Sequence, residues 1–164
     1  VDSDKQMEAA LTSLWAYYDE HAAQARQHEN LRATVTSTLA GIAAAVVTLA
    51  GVGGLSKADI LTGVVVIILS VLGFALSFKH YERNRMHTEI LGQIRGRIDQ
   101  LHDQSVTGWV RTEALRDAGK KENKKKFPRL KRIRLHILWL GLPMAIGLVG
   151  IAVIVFSAVG VAPR

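Results

Sequence analysis

The chain has 164 residues, 49% of them apolar, with 21 Lys and Arg against 14 Asp and Glu, a net charge of +7 and no cysteine. That length predicts one compact unit, and the missing cysteine excludes disulfides, thiolate metal centres and cysteine nucleophiles. The charges are not interleaved with apolar residues as in a soluble domain: they avoid 33–56, 60–77 and 137–162 and crowd everything else. Windows of this length match the roughly 20 residues that cross a bilayer as a helix.

In residues 1–33, Met7, Ala10, Leu11, Leu14, Tyr17, Tyr18, Ala22 and Ala25 share one helical face. Neither Gly nor Pro interrupts the chain before Gly41. The pattern predicts a single helix from about Asp4 to Ala50 that includes a first membrane span at 34–55, ended by Gly51, Gly53 and Gly54. The apolar run follows a long polar segment, so this span, not a cleaved signal, is expected to insert the chain. Within it, Thr34, Thr38, Gly41, Ala45 and Thr48 recur every three or four residues. Such a small, hydroxylated stripe suits close helix packing, and around a ring of copies it would face the axis.

The turn at 56–59 is too short for anything but a tight reversal, so the second span, 60–78, reads as the return arm of an antiparallel hairpin. Neither arm holds an ionisable residue, which argues against a proton-coupled transporter. Beyond the membrane, residues 79–104 continue as helix, with Ile90, Ile94, Ile98 and Leu101 on one face and the helix ending near Asp103. Each helix would be ~65–70 Å long, about twice the hydrocarbon thickness, so the hairpin is expected to project a cytoplasmic helical stalk. Leu11, Leu14, Ile90, Ile94 and Ile98 are the expected stalk or oligomer packing residues.

At the expected register His21 lies level with His87 and His28 with His80. Arg26 with Glu82 and Glu29 with Lys79 share that offset. Two histidines seven residues apart on one helix are about 10 Å apart, too far to share an ion. The four therefore read as polar packing residues that titrate near neutral pH, not as a metal centre. Trp109 to Ala118 reads as a short helix stopped by Gly119, followed by a mobile lysine-rich linker. The segment 105–134 ends in Arg129, Lys131, Arg132 and Arg134, placed to reach lipid phosphates while Leu130 and Ile133 dip toward the acyl chains. A third span follows at 135–161, with Pro143 inside it and Trp139 near its start as an interfacial anchor.

Three Lys and Arg precede the first span and sixteen fall in 79–134, against Lys57 in the turn and Arg164 at the end. The N-terminus and the basic segment should therefore be cytoplasmic, and the C-terminus outside. Positive charge beside membrane spans fits anionic lipid, not nucleic acid. The fold class expected is an all-α integral membrane protein with three transmembrane helices. No phosphate loop, HExxH or GxSxG is present, so no catalytic residue and no cofactor is assigned.

The His/Arg-rich first helix (His21, Arg26, His28, Arg32), the hairpin, the Lys79-His80-Tyr81-Glu82-Arg83-Asn84-Arg85-Met86-His87 run, and Phe127-Pro128-Arg129-Leu130 leading to Arg134-Leu135-His136-Ile137-Leu138-Trp139 together carry a resemblance. The chain resembles small bacterial membrane proteins related to the RipA family of octameric membrane proteins. Its hairpin is also similar to SLATT two-transmembrane domains, membrane-perturbing effectors of bacterial conflict systems. The third span departs from the SLATT pattern. The resemblance implies an octamer-like assembly, and the apolar stripes at Leu11, Leu14, Ile90, Ile94 and Ile98, more than one antiparallel partner needs, point the same way. The expectation is a homo-oligomer of the bacterial inner membrane acting as a pore, or alternatively as a scaffold for lipid and protein partners, with any trigger supplied by another protein.

Overall fold

The computed structural model describes residues 2–52, 54–128 and 135–160. These form four α-helices and no strand: α1 (Asp2–Gly51), α2 (Ile60–Ser105), α3 (Thr112–Lys126) and α4 (Leu135–Val159), with a 3-10 turn at Lys57–Asp59. Helices α1, α2 and α4 are long and apolar enough to cross a membrane.

The helix ends follow local chemistry. Helix α1 stops at Gly51, and Gly54 takes a φ of 91°, which glycine adopts without the Cβ clash that strains other residues. The Asp59 carboxylate then accepts the Ser56 backbone N–H (2.7 Å) and the Ser56 hydroxyl (2.8 Å) ahead of α2. Those two bonds hold Asp59 below the usual carboxylate range. Helix α4 continues through Pro143. Proline removes one backbone donor there, and the Ser70 hydroxyl adds a 2.7 Å bond to the Pro143 carbonyl.

The chain forms two compact units, one of Val1–His28 with Glu82–Ile133, the other of Glu29–Tyr81 with Arg134–Arg164. In the first unit the contacts run in opposite senses along α1 and α2. The Arg95 guanidinium lies over the Tyr18 ring, His21 meets His87, and the Asn84 amide donates to the Ala25 carbonyl. Ala25, Leu91, Ile94 and Ile98 form the apolar core, and Leu11, Leu14 and Ile90 are half-buried beside it. Burial of Ile94 and Ile98 is thus complete within one chain. Helix α3 departs from expectation: it passes through Gly119 and takes in the lysine run to Lys126. A mid-helix glycine costs only about 1 kcal/mol against alanine. Here Lys124, Lys125 and Lys126 sit in the last turn, where the helix dipole favours cations.

In the second unit, α2 and α4 meet along two rows of small residues. Gly63, Ser70 and Ser77 on α2, and Pro143, Gly150 and Ser157 on α4, are all buried. Seven residues is two helical turns, so each row is one straight seam. A Cβ built on Gly63 would lie 2.7 Å from the Gly150 carbonyl oxygen, and one on Gly150 would lie 2.9 Å from the Gly63 carbonyl oxygen. The two backbones are therefore in contact, as close packing in lipid requires. Ala43, Val66 and Val153 complete the buried apolar set. Alanines on α1 leave an open apolar groove of ≈ 310 Å³ beside Val66, Ile146 and Val149.

Candidate functional site

Polar side chains that are buried in a mostly apolar frame are the places where chemistry can reside, because each must be hydrogen-bonded or bear a cost of about 1–3 kcal/mol. Three such clusters stand out among the described residues.

The first is the histidine cluster. His21 and His87 Nδ1 atoms are 2.8 Å apart, and both residues are buried. One Nδ1 carries hydrogen and donates, and the other accepts; two protonated rings would aim N–H at N–H. Tyr17 sets its ring edge-on to His21, and His28 stacks on His87 with centroids 5.5 Å apart at 16°. Burial, then His21, His28 and Arg83, hold His87 below the ordinary imidazole value. The fourth histidine, His80, is half-buried in the other unit. No three His, Asp or Glu side chains converge as a metal site among the described residues.

A depressed histidine pKa links folding to pH. The unfolded chain binds this proton near pH 6.5, and the folded first unit binds it only at lower pH. The stability is complete above that value and is lost as pH falls through the folded pKa. The apparent melting temperature of the detergent-solubilised protein should fall by several degrees between pH 7.5 and 5.5, and His87→Asn should flatten that dependence. An unchanged slope in the variant would remove His87 as its source.

The second cluster fixes α3. Asp99 on α2 is 4% exposed. Its carboxylate accepts the backbone N–H groups of Thr112 (2.9 Å) and Glu113 (3.2 Å), the Thr112 hydroxyl (3.0 Å) and the Trp109 indole N–H (3.1 Å). The residue preceding α3, Arg111, makes no side-chain cap of its own and pairs with Asp103. Asp99 is thus the N-cap of α3, supplied from another helix. Burial pushes its carboxyl up, and the four donors together outweigh burial and hold it below the usual range. The Trp109 ring stacks on His102 at 4.0 Å.

The third cluster lies in the second unit, at the polar end of its apolar helices. The Arg32 side chain is 3% exposed and bonds Glu29 through Nη2 at 2.6 Å. Its guanidinium carbon is 5.3 Å from the Trp139 ring centre and 5.9 Å from that of Tyr81, and Tyr81 stacks on His136. Arg32 Nε and Trp139 Nε1 are buried without an acceptor, as are the hydroxyls of Thr36, one turn beyond Arg32, and Ser77, one turn before Tyr81.

Of the residues singled out from sequence, Thr34, Thr38, Gly41, Ala45 and Thr48 are all exposed, with Thr48 also at the edge of the groove that Val66, Ile146 and Val149 line. Arg129, Lys131, Arg132 and Arg134 lie outside the described residues. Sequence reading overlooked Asp99 and took Arg32 only as one of the basic residues ahead of the first span. It also passed over the seven-residue spacing of small residues in α2 and α4, a signal that was present in the chain. Comparison with protein-family models, curated proteins and solved structures returned no match, so the family resemblance stands as an expectation drawn from the residues alone.

Proposed function

We propose that the protein is a homo-oligomer of the bacterial inner membrane in which a transmembrane hairpin and a third helix surround a common axis. Its N-terminus and basic segment are cytoplasmic and its C-terminus is outside, following the Lys and Arg distribution. The axis is faced by Thr34, Thr38, Gly41, Ala45 and Thr48 and forms a narrow conduction path. The observation that carries this reading is the contrast within one unit: Thr36, Ser70, Ser77 and Ser157 are buried, whereas the small, hydroxylated stripe is exposed. A face of that composition is suited to another helix or to water, more than to acyl chains.

One observation favours a second reading, a scaffold that organises lipid and protein partners without conducting. The Thr48 hydroxyl donates to its own Ala44 carbonyl at 2.8 Å. A hydroxyl satisfied in this way can pack dry against a second copy and leave no open path.

Gly41→Leu tests the assembly. A Cβ at Gly41 meets nothing within 4 Å inside the chain, so the protomer should fold normally. Added bulk in a tight contact between copies costs about 1–3 kcal/mol per site. Native mass spectrometry in a mild membrane mimetic should show a closed ring for the native chain and smaller species for the variant. An unchanged mass would rule out this stripe as the interface. Ion flux through liposomes then separates the pore from the scaffold.

A further inference from the structure

Glu29 engages Arg32 through Nη2 alone. The neighbouring Nε, on the same edge of the guanidinium, has no acceptor, and neither has the Trp139 indole N–H, whose ring lies against that guanidinium. Both atoms can only donate. The partner this edge requires is therefore an acceptor. Beside a guanidinium fork the acceptor of matching charge and shape is an oxyanion, and phosphate is the group such an edge takes with two parallel bonds.

Position narrows the source of the phosphate. Arg32 immediately precedes the charge-free run of α1, Tyr81 lies just after that of α2, and His136 and Trp139 occupy the first turns of α4. Aromatic and cationic residues at the ends of apolar helices mark the level of lipid headgroups. Glu29, whose side chain is 38% exposed against 3% for Arg32, is the water-facing member of the pair, so a ligand would enter past it.

We propose that Arg32 and Trp139 form a seat for the phosphate of an anionic lipid, with Glu29 as a built-in competitor that swings out when the phosphate enters. The seat rests on the membrane reading and not on the pore or the oligomer. Its failure is separable from theirs, because the same spectra report bound lipid and complex mass independently.

The test is retention of phosphatidylglycerol against phosphatidylcholine on the full chain, measured by native mass spectrometry, with a parallel competition by inorganic phosphate. Phosphatidylglycerol should be retained preferentially. Glu29→Gln removes the competing charge and should raise its apparent affinity about tenfold. Trp139→Phe keeps a ring against Arg32 but removes one donor, and should lower it about tenfold, the effect of one charge-assisted bond. A purely structural Arg32–Glu29 pair would make Glu29→Gln less stable and no better at binding, and that result would overturn the proposal. Equal retention of both lipids, or no effect of Trp139→Phe, would also overturn it. Displacement of the lipid by millimolar inorganic phosphate would overturn the lipid assignment in favour of free phosphate.

Discussion

Asp99→Ala is expected to release α3 from α2 and to destabilise the first unit by about 2–4 kcal/mol, the loss of a helix cap together with a buried charged acceptor. Four donors converge on that one carboxylate, two of them backbone N–H groups at the start of α3. A free 15-residue helix is marginal in water. This one buries no residue of its own. Amide exchange across Thr112–Lys126 should accordingly accelerate to near the rate of an isolated peptide, while the amides around Ile94 and Ile98 stay protected. Asp99→Asn retains one acceptor oxygen and should give a smaller effect. Protection of α3 that survives Asp99→Ala would mean that its position is held elsewhere.

The sign of the pH dependence separates this cluster from the histidines. The Asp99 pKa is depressed in the folded chain. Its contribution is complete above the unfolded carboxylate value of about 4 and is lost only as pH falls through the lower folded value. His87, whose pKa is depressed in the folded chain, weakens the same unit already as pH falls below about 6.5. A titration between pH 7.5 and 5 is therefore silent on Asp99, and the part of it that His87→Asn abolishes reports His87.

What the sequence made legible was periodic. Charge-free windows and helical faces marked α1, α2 and α4 within a few residues of their ends, because each signal repeats over many residues. The α3 boundaries were misjudged at both ends. Gly119 was read locally as a stop, while the determinant of the helix start, Asp99, sits thirteen residues before Thr112. A cap donated by another helix leaves no mark in the segment it caps. Arg32 was read as a flanking positive charge, and only the folded chain places it against Tyr81 and Trp139. The contact between His21 and His87 was legible because it depends on a single offset between two uninterrupted helices.

A large effect is expected in the second unit at Gly150, which faces Gly63 across the seam. Lipid chains are as apolar as leucine, so helices in a bilayer are held by close backbone approach and not by a hydrophobic driving force. Even the single carbon of Gly150→Ala would come 2.9 Å from the Gly63 carbonyl oxygen, 2.9 Å from Ile67 Cγ1 and 3.1 Å from the Ile67 backbone nitrogen. Two of those three are backbone atoms, which cannot step aside as a side-chain end can. Alanine should therefore cost about 1–3 kcal/mol, the usual penalty of overpacking. Gly150→Leu should cost more, since α4 must lift from α2 and break the bond from Ser70 to the Pro143 carbonyl. Gly141→Ala is the matched control on the same helix: its Cβ meets nothing within 4 Å. It should be neutral or stabilising by up to about 1 kcal/mol, since alanine favours helix over glycine. Thermal unfolding of the three variants in one detergent reads the contrast directly. Equal effects at Gly150 and Gly141 would mean that helix propensity, and not the seam, governs both positions, and α4 would then have no specific hold on α2.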